Sequence, residues 1–125
     1  MKKGEIYRLR EEFKKHYNTE SFNHPFVFWE NEGININGIM ITCSSIPKYS
    51  NKEFEEYHFE KGYEIGFGKS DKYPKSYFAP LYLLKKVKFD HLEKVGKLTQ
   101  GGINHLEIAK DDLEYTDWET HMLKD

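Results

Sequence analysis

Two stretches of sequence decide the predicted fold: HPFVFWEN at residues 24–31 and IMITCSS at residues 39–45. Both are rich in β-branched or aromatic residues, a composition that is typical of strands. Between them, NEGINING at residues 31–38 supplies asparagines and glycines, which adopt the positive φ angles of tight turns. We therefore predict an antiparallel hairpin that brings His24, at the start of one strand, close to Ser44 and Ser45 at the end of the other.

Length and composition predict a single cytoplasmic domain that covers residues 1–125. The chain's 9 phenylalanines, 9 tyrosines and 2 tryptophans offer a large buried area to a small β-rich core. Its apolar runs are much shorter than a membrane span, and the first residues, MKKGE, lead into no apolar signal-peptide region. A lone cysteine, Cys43, excludes an internal disulfide and is most simply a small buried hydrophobe.

Charge is unevenly distributed along the chain, although the net charge is only −2. Residues 69–97 contain eight lysines against three acidic residues, whereas the C-terminal segment 111–125 contains six acidic residues against one lysine. The small net charge provides no global field to attract nucleic acid. Each lysine alone is best interpreted as solvated surface, and a basic groove is a hypothesis that depends on other signals.

Apolar patterning predicts a mainly β, or α+β, fold. The predicted strands cover residues 4–10, a segment that begins at Pro25, residues 38–43, the region around 57–65, and residues 76–87. Pro80, inside the last of these, indicates an edge or a bulge. A short helix is predicted at Leu92–Val95 with an N-cap at Asp90, and a longer one from Thr99 or Gln100 with an apolar stripe. Together these elements predict a small, curved antiparallel barrel with short helices and a C-terminal packing helix.

The order of short motifs over roughly residues 4–110 resembles the PemK/MazF family of toxin endoribonucleases, which belongs with the CcdB-like plasmid-maintenance toxins. The motifs are GEIY at residues 4–7, His24-Pro25 before FVFW, TCSS at residues 42–45, Ser76 through Lys85 or Lys86, and LEKVGKL at residues 92–98 before the final helix. The resemblance implies an SH3-like barrel, usually a homodimer, that cleaves single-stranded RNA without a metal or cofactor. It also implies an acidic antitoxin protein as partner.

This chain departs from the family pattern at three positions. His24 stands where the family has arginine before the proline, and the Thr-Ser pair is shifted to Ser44-Ser45 or spread over Thr42 to Ser45. Tyr82 occupies the place of an acidic residue. Activity is therefore a separate question from the fold.

Metal-free RNA cleavage needs a base for the ribose 2′-OH, an acid for the leaving 5′-oxygen and donors for the charge on the phosphate. His24 is the candidate base or acid, because imidazole titrates near neutral pH. Ser44 and Ser45 are candidate phosphate ligands. Further catalytic or RNA-binding candidates are His58, Lys85, Lys86 and Thr42.

Each candidate also has a structural interpretation. His24 is equally well a histidine of a connecting segment, and a Ser-Ser-x-Pro sequence by default forms a turn. The six histidines show no metal-binding spacing, so no metal site is predicted. The alternative to a nuclease is therefore a catalytically inactive SH3-like barrel that binds protein or nucleic acid.

Overall fold

The computed structural model describes residues 2–16, 25–33, 35–42, 53–61, 77–84, 88–109 and 115–117. Within these ranges it forms six strands, three 3₁₀ helices and one α-helix. The strands are β1 (Glu5–Leu9), β2 (Phe26–Glu32), β3 (Asn35–Thr42), β4 (Tyr77–Leu84), β5 (Leu92–Lys97) and β6 (Tyr115–Asp117). The 3₁₀ helices are Glu11–His16, Glu56–His58 and Phe89–His91, and the α-helix is α1 (Gln100–Ala109).

All six strands belong to one sheet, in the order β5-β1-β2-β3-β4-β6. Every neighbouring pair is antiparallel except β4 and β6, which are parallel. This mostly antiparallel sheet with one α-helix confirms the predicted mainly β, α+β class. Among the described residues no pairing joins β5 to β6, so a closed barrel is not part of the observed architecture.

The predicted hairpin is confirmed, and its strands are longer than expected. β3 begins at Asn35 rather than at Gly38, and Glu32 pairs with Asn35 at the end of the ladder. Gly33 lies in the connection with φ of 64°, a conformation that glycine adopts without steric cost. Asn31, Asn35 and Asn37 therefore extend the strands rather than the turn, because backbone pairing continues through polar positions.

Strand β2 is covered on both faces, as its continuous apolar run predicts. Phe26, Val27, Phe28 and Trp29 are each no more than 4% exposed. Val27 and Trp29 belong to the main hydrophobic core. The other core residues are Ile6, Ile39, Ile41, Phe54, Phe59, Val95, Leu98 and Leu106. Since successive strand residues point to opposite faces, Phe26 and Phe28 are buried on the second face.

Strand β4 contains the irregularity that Pro80 predicts. Ile39 pairs with Leu81 and Ile41 pairs with Phe78, so two steps along β3 match three along β4. One extra residue therefore lies in the Ala79-Pro80 segment, where a bulge removes the need for a ladder hydrogen bond from proline. The bulge is thus confirmed.

The helix predicted at Leu92–Val95 is wrong, because these residues begin strand β5. Leu92 pairs with Leu9 of β1, whereas Val95 packs in the main core with Ile6. Two apolar residues that are three positions apart resemble a helical stripe. The same spacing also arises in a strand when residues on both of its faces are buried. The pairing with β1 also contains a register shift between Ile6 and Tyr7, which further disturbs simple alternation.

The strand predicted around residues 57–65 is also corrected over its described part. Residues Glu56–His58 form a 3₁₀ helix, and Phe59 makes an isolated antiparallel bridge with Leu98. Residues 62–65 lie outside the described ranges. His58 and Phe59 are buried here, with the His58 ring against His105 of α1, whereas Tyr57 is exposed. A β-forming composition does not distinguish burial against a helix from burial within a sheet.

The C-terminal packing helix is confirmed. It begins at Gln100, and the Thr99 hydroxyl accepts a hydrogen bond from the Gly102 N–H at 3.2 Å, which caps the helix. Leu106 is fully buried, and Ile103 and Ala109 pack against the core. No helix in the described part of the chain is long and apolar enough to span a membrane.

Candidate functional site

The strand ends next to the predicted catalytic residues lie together. Phe26 pairs with Met40, and the Ile41 N–H donates a hydrogen bond of 2.9 Å to the Pro25 carbonyl. Thr42, the last residue of β3, pairs with Tyr77 at the start of β4. Pro25, the described neighbour of His24, and Thr42, the described neighbour of residues 43–45, therefore meet at one edge of the sheet.

Most of the predicted site residues lie outside the described ranges. These are His24, Ser44, Ser45, Lys85 and Lys86. Thr42 is described by its backbone pairing in β3. His58 is the one candidate whose side chain is described, so its surroundings can be compared with the proposed role.

His58 is held in the interior, at the junction of a 3₁₀ helix and α1. Its side chain is only 4% exposed, and its Nδ1 accepts a hydrogen bond of 2.9 Å from the Glu55 N–H. Its carbonyl accepts a hydrogen bond of 2.9 Å from the Thr99 N–H at the start of α1. These contacts give His58 a clear structural role, and a role in proton transfer stays a prediction.

The His58 ring stacks on the ring of His105 from α1. The two centroids are 4.3 Å apart and the rings are inclined by 16°, with Phe54 against the edge of His58. The Nε2 atom of His105 lies 3.1 Å from the Glu53 carbonyl. Burial lowers the pKa of His58, and the nearby His105 lowers it further, while Glu55 opposes both effects. A neutral imidazole is therefore the form that this packing favours.

We expect the buried His58 to make the fold less stable in mild acid. Because the pKa of His58 lies below its ordinary value of 6.5, the unfolded chain binds a proton that the folded chain excludes. The stabilisation that comes from the neutral His58 ring is complete above pH 6.5, and it is lost as the pH falls toward the lowered pKa. Urea unfolding between about pH 8 and about pH 5 would measure the loss.

A matched pair of variants isolates the contribution of His58. His58→Asn keeps an acceptor for the Glu55 N–H but removes the titrating ring, so the acid-induced loss of unfolding free energy should shrink. His91→Asn removes an imidazole that stacks on Phe13 rather than on His105, and should retain the wild-type loss. Equal pH dependence in wild type and His58→Asn would contradict this assignment.

A second polar cluster, which was not predicted from the sequence, joins β1 to β5. Glu5 is 9% exposed, and its Oε2 lies 2.7 Å from the Lys94 Nζ. Its Oε1 accepts hydrogen bonds from the Tyr7 hydroxyl, at 3.1 Å, and from the Lys2 backbone N–H. The sequence signal that could have identified this cluster is the alternation in GEIY, because residues 5 and 7 of a strand lie on the same face.

The charges in the Glu5 cluster are fixed near neutral pH. Burial alone would raise the pKa of Glu5, but hydrogen bonds from Lys94, Lys2 and Tyr7 lower it overall. Burial, and then the Glu5 carboxylate, raise the pKa of Tyr7 to about 12. The carboxylate therefore stays ionised and the phenol stays neutral. The arrangement joins the edge strand to the sheet and does not provide a proton carrier.

The described side chains contain no group of three or more His, Cys, Asp or Glu residues that could hold a metal ion. Comparisons with known proteins provide no family for the chain. No family model matches it, and neither the curated proteins nor the solved structures contain a match. The chain's own residues and the resemblance in its motif order are therefore the basis for assigning a function.

Proposed function

We propose that this protein is a metal-independent endoribonuclease of the toxin-antitoxin type that cleaves single-stranded RNA. The observation that carries the proposal is the register of the hairpin. It brings Pro25 and Thr42 to the same edge of the sheet. In the sequence, Pro25 directly follows His24, and Thr42 comes shortly before Ser44 and Ser45. A histidine and two hydroxyls converging there would provide a proton carrier and phosphate ligands.

In the proposed reaction the ribose 2′-oxygen attacks the adjacent phosphorus and displaces the 5′-oxygen of the next nucleotide. His24 accepts the 2′-OH proton or donates a proton to the leaving oxygen, and Ser44 and Ser45 donate hydrogen bonds to the phosphate. Lys85 and Lys86 are proposed to neutralise phosphate charge. The buried His58, whose Nδ1 is already an acceptor, is better suited to support the fold than to reach RNA.

The strand order supports an SH3-like barrel as the finer architecture. Strands β1 to β4 are consecutive neighbours, and β5 returns to pair with β1 on its other side. Closing such an arrangement into a small barrel requires strand tilt, curvature and pairing between its edge strands. We also propose a homodimer, a cytoplasmic location, and an acidic antitoxin that covers the lysine-rich region at residues 69–97.

The proposal predicts RNA cleavage in the absence of divalent metal. Purified protein incubated with a long single-stranded RNA in excess EDTA should yield discrete fragments, resolved on a denaturing gel. The same sequence as DNA should remain intact, because it lacks the 2′-OH nucleophile. Intact RNA at high protein concentration would contradict the proposal.

A catalytically inactive SH3-like binding module is the second candidate. The net charge of −2 and the structural role of the described His58 favour it. This alternative predicts that the RNA, or a protein ligand, is bound without cleavage. A retarded but intact RNA in the EDTA experiment would therefore support the binding module over the nuclease.

A further inference from the structure

A group of aromatic residues lies where the end of β1 meets the start of β5. We call Phe13, Phe89, His91 and the buried Tyr7, whose ring contacts that of Phe89, the aromatic platform. The rings of Phe13 and His91 are stacked with centroids 4.0 Å apart and an inclination of 11°. The ring of Phe89 lies 6.3 Å from that of Tyr7 and is 60% exposed. The exposed Phe89 ring and the His91 ring of the stacked pair are carried by the same 3₁₀ turn, Phe89–His91.

Backbone hydrogen bonds hold the platform in place. The His91 N–H donates to the Lys88 carbonyl at 3.0 Å, which closes the 3₁₀ turn that carries Phe89. The Arg10 N–H donates to the His91 carbonyl at 2.8 Å and ties this turn to β1. Arg10 also donates from Nε to the Leu92 carbonyl at 3.2 Å. Since the turn is already ordered, a ligand stacking on it would lose little conformational entropy.

The charges around the platform suit a nucleic acid strand bound mainly by stacking. Lys88 is exposed and directly precedes Phe89, and the partly buried Arg10 directly follows β1. Asp90, Glu11 and Glu12 are also exposed and offset these cations, so stacking rather than charge would provide most of the affinity. Aromatic rings beside a few cations are the combination that single-stranded RNA-binding surfaces use, because every base has a face that can stack.

We propose that the aromatic platform binds an unpaired base of single-stranded RNA, with the base stacked on Phe89 and its phosphate near Lys88. This inference rests on the proposed function and extends it to how the substrate is held. It makes Phe89 an RNA-binding residue outside the predicted catalytic set. Because stacking is tolerant of base identity, the platform would contribute affinity rather than sequence preference.

The test is binding of a 2′-O-methyl RNA oligonucleotide, which lacks the nucleophile for cleavage, measured by fluorescence anisotropy. Phe89→Ala should weaken binding by roughly 5-fold to 150-fold, the range for the loss of one base–aromatic stack. Phe89→Trp should bind at least as tightly as wild type, because it retains a stacking face. Circular dichroism would verify that each variant is folded.

Tyr57→Ala is the matched control. Tyr57 is 70% exposed and contacts His58 edge to face, so it is an equally accessible aromatic ring on a different 3₁₀ helix. The control should bind the oligonucleotide as wild type does. Equal affinity for wild type and Phe89→Ala would overturn the platform while leaving EDTA-resistant cleavage by wild type, and thus the proposed function, in place. Absence of any RNA binding or cleavage by wild type would overturn both.

Discussion

Replacing Gly102 with alanine is expected to destabilise the fold by about 3 kcal/mol, the upper part of the range for overpacking a tight contact. A Cβ atom at this position would lie 2.4 Å from the backbone carbonyl oxygen of His58 and 3.1 Å from the Leu98 Cβ. Because the nearest atom is backbone, it cannot move aside as a flexible side chain would. Equilibrium urea unfolding of Gly102→Ala would measure the change.

The adjacent glycine provides the control. At Gly101 the nearest atom to an added Cβ is the Thr99 hydroxyl at 3.6 Å, an ordinary contact distance. Gly101→Ala should therefore leave stability unchanged or raise it by about 0.5 kcal/mol through helix propensity. If both substitutions have the same effect, then α1 does not dock on the His58 turn as described.

His24→Ala is expected to reduce RNA cleavage by about 100-fold to 10 000-fold, the contribution of a positioned general acid or base. Alanine retains the backbone but removes the only titrating group at that position. The rate is measured with a fluorescent single-stranded RNA in EDTA, under single-turnover conditions.

The control for His24 is a histidine that belongs to none of the candidate groups. His121→Ala removes an imidazole from the acidic C-terminal segment and should cleave at the wild-type rate. Unfolding curves of both variants would separate catalysis from stability. A His24→Ala protein that is folded and cleaves normally would remove His24 from the mechanism, even if the protein is a ribonuclease.

Local sequence signals predicted those elements whose chemistry is distinctive. Gly33 and the asparagines around it predicted the hairpin, Pro80 predicted the bulge in β4, and the apolar stripe predicted α1. In each case one physical cause, a positive φ angle, a missing N–H or a helical period, favours a single structure.

The errors occur where two structures share one pattern. Leu92 and Val95 have helical spacing, yet both are buried in strand β5, whose pairing with β1 contains a register shift at Val95. His58 lies in a β-forming segment, yet its contact with Glu55 and the docking of α1 fold it into a 3₁₀ turn. Such outcomes are decided by partners distant in sequence, which single-sequence patterns do not contain.

For the candidate site, the sequence predicted the two strands that lead to it, β2 and β3, and their pairing. Pairing of β2 with β3 follows from local signals, and it accounts for the meeting of Pro25 and Thr42 at one edge. Glu5 and Phe89 were not identified, because their significance depends on Lys94 and Tyr7, which are neighbours only in the folded chain.

The central claim is tested most directly by the chemical ends of the RNA fragments formed in EDTA, determined by mass spectrometry. Attack by the ribose 2′-oxygen predicts one fragment ending in a 2′,3′-cyclic phosphate, or its hydrolysed 3′-phosphate, and the other beginning with a 5′-hydroxyl. RNA that remains intact, or fragments with 3′-hydroxyl and 5′-phosphate ends, would contradict the account.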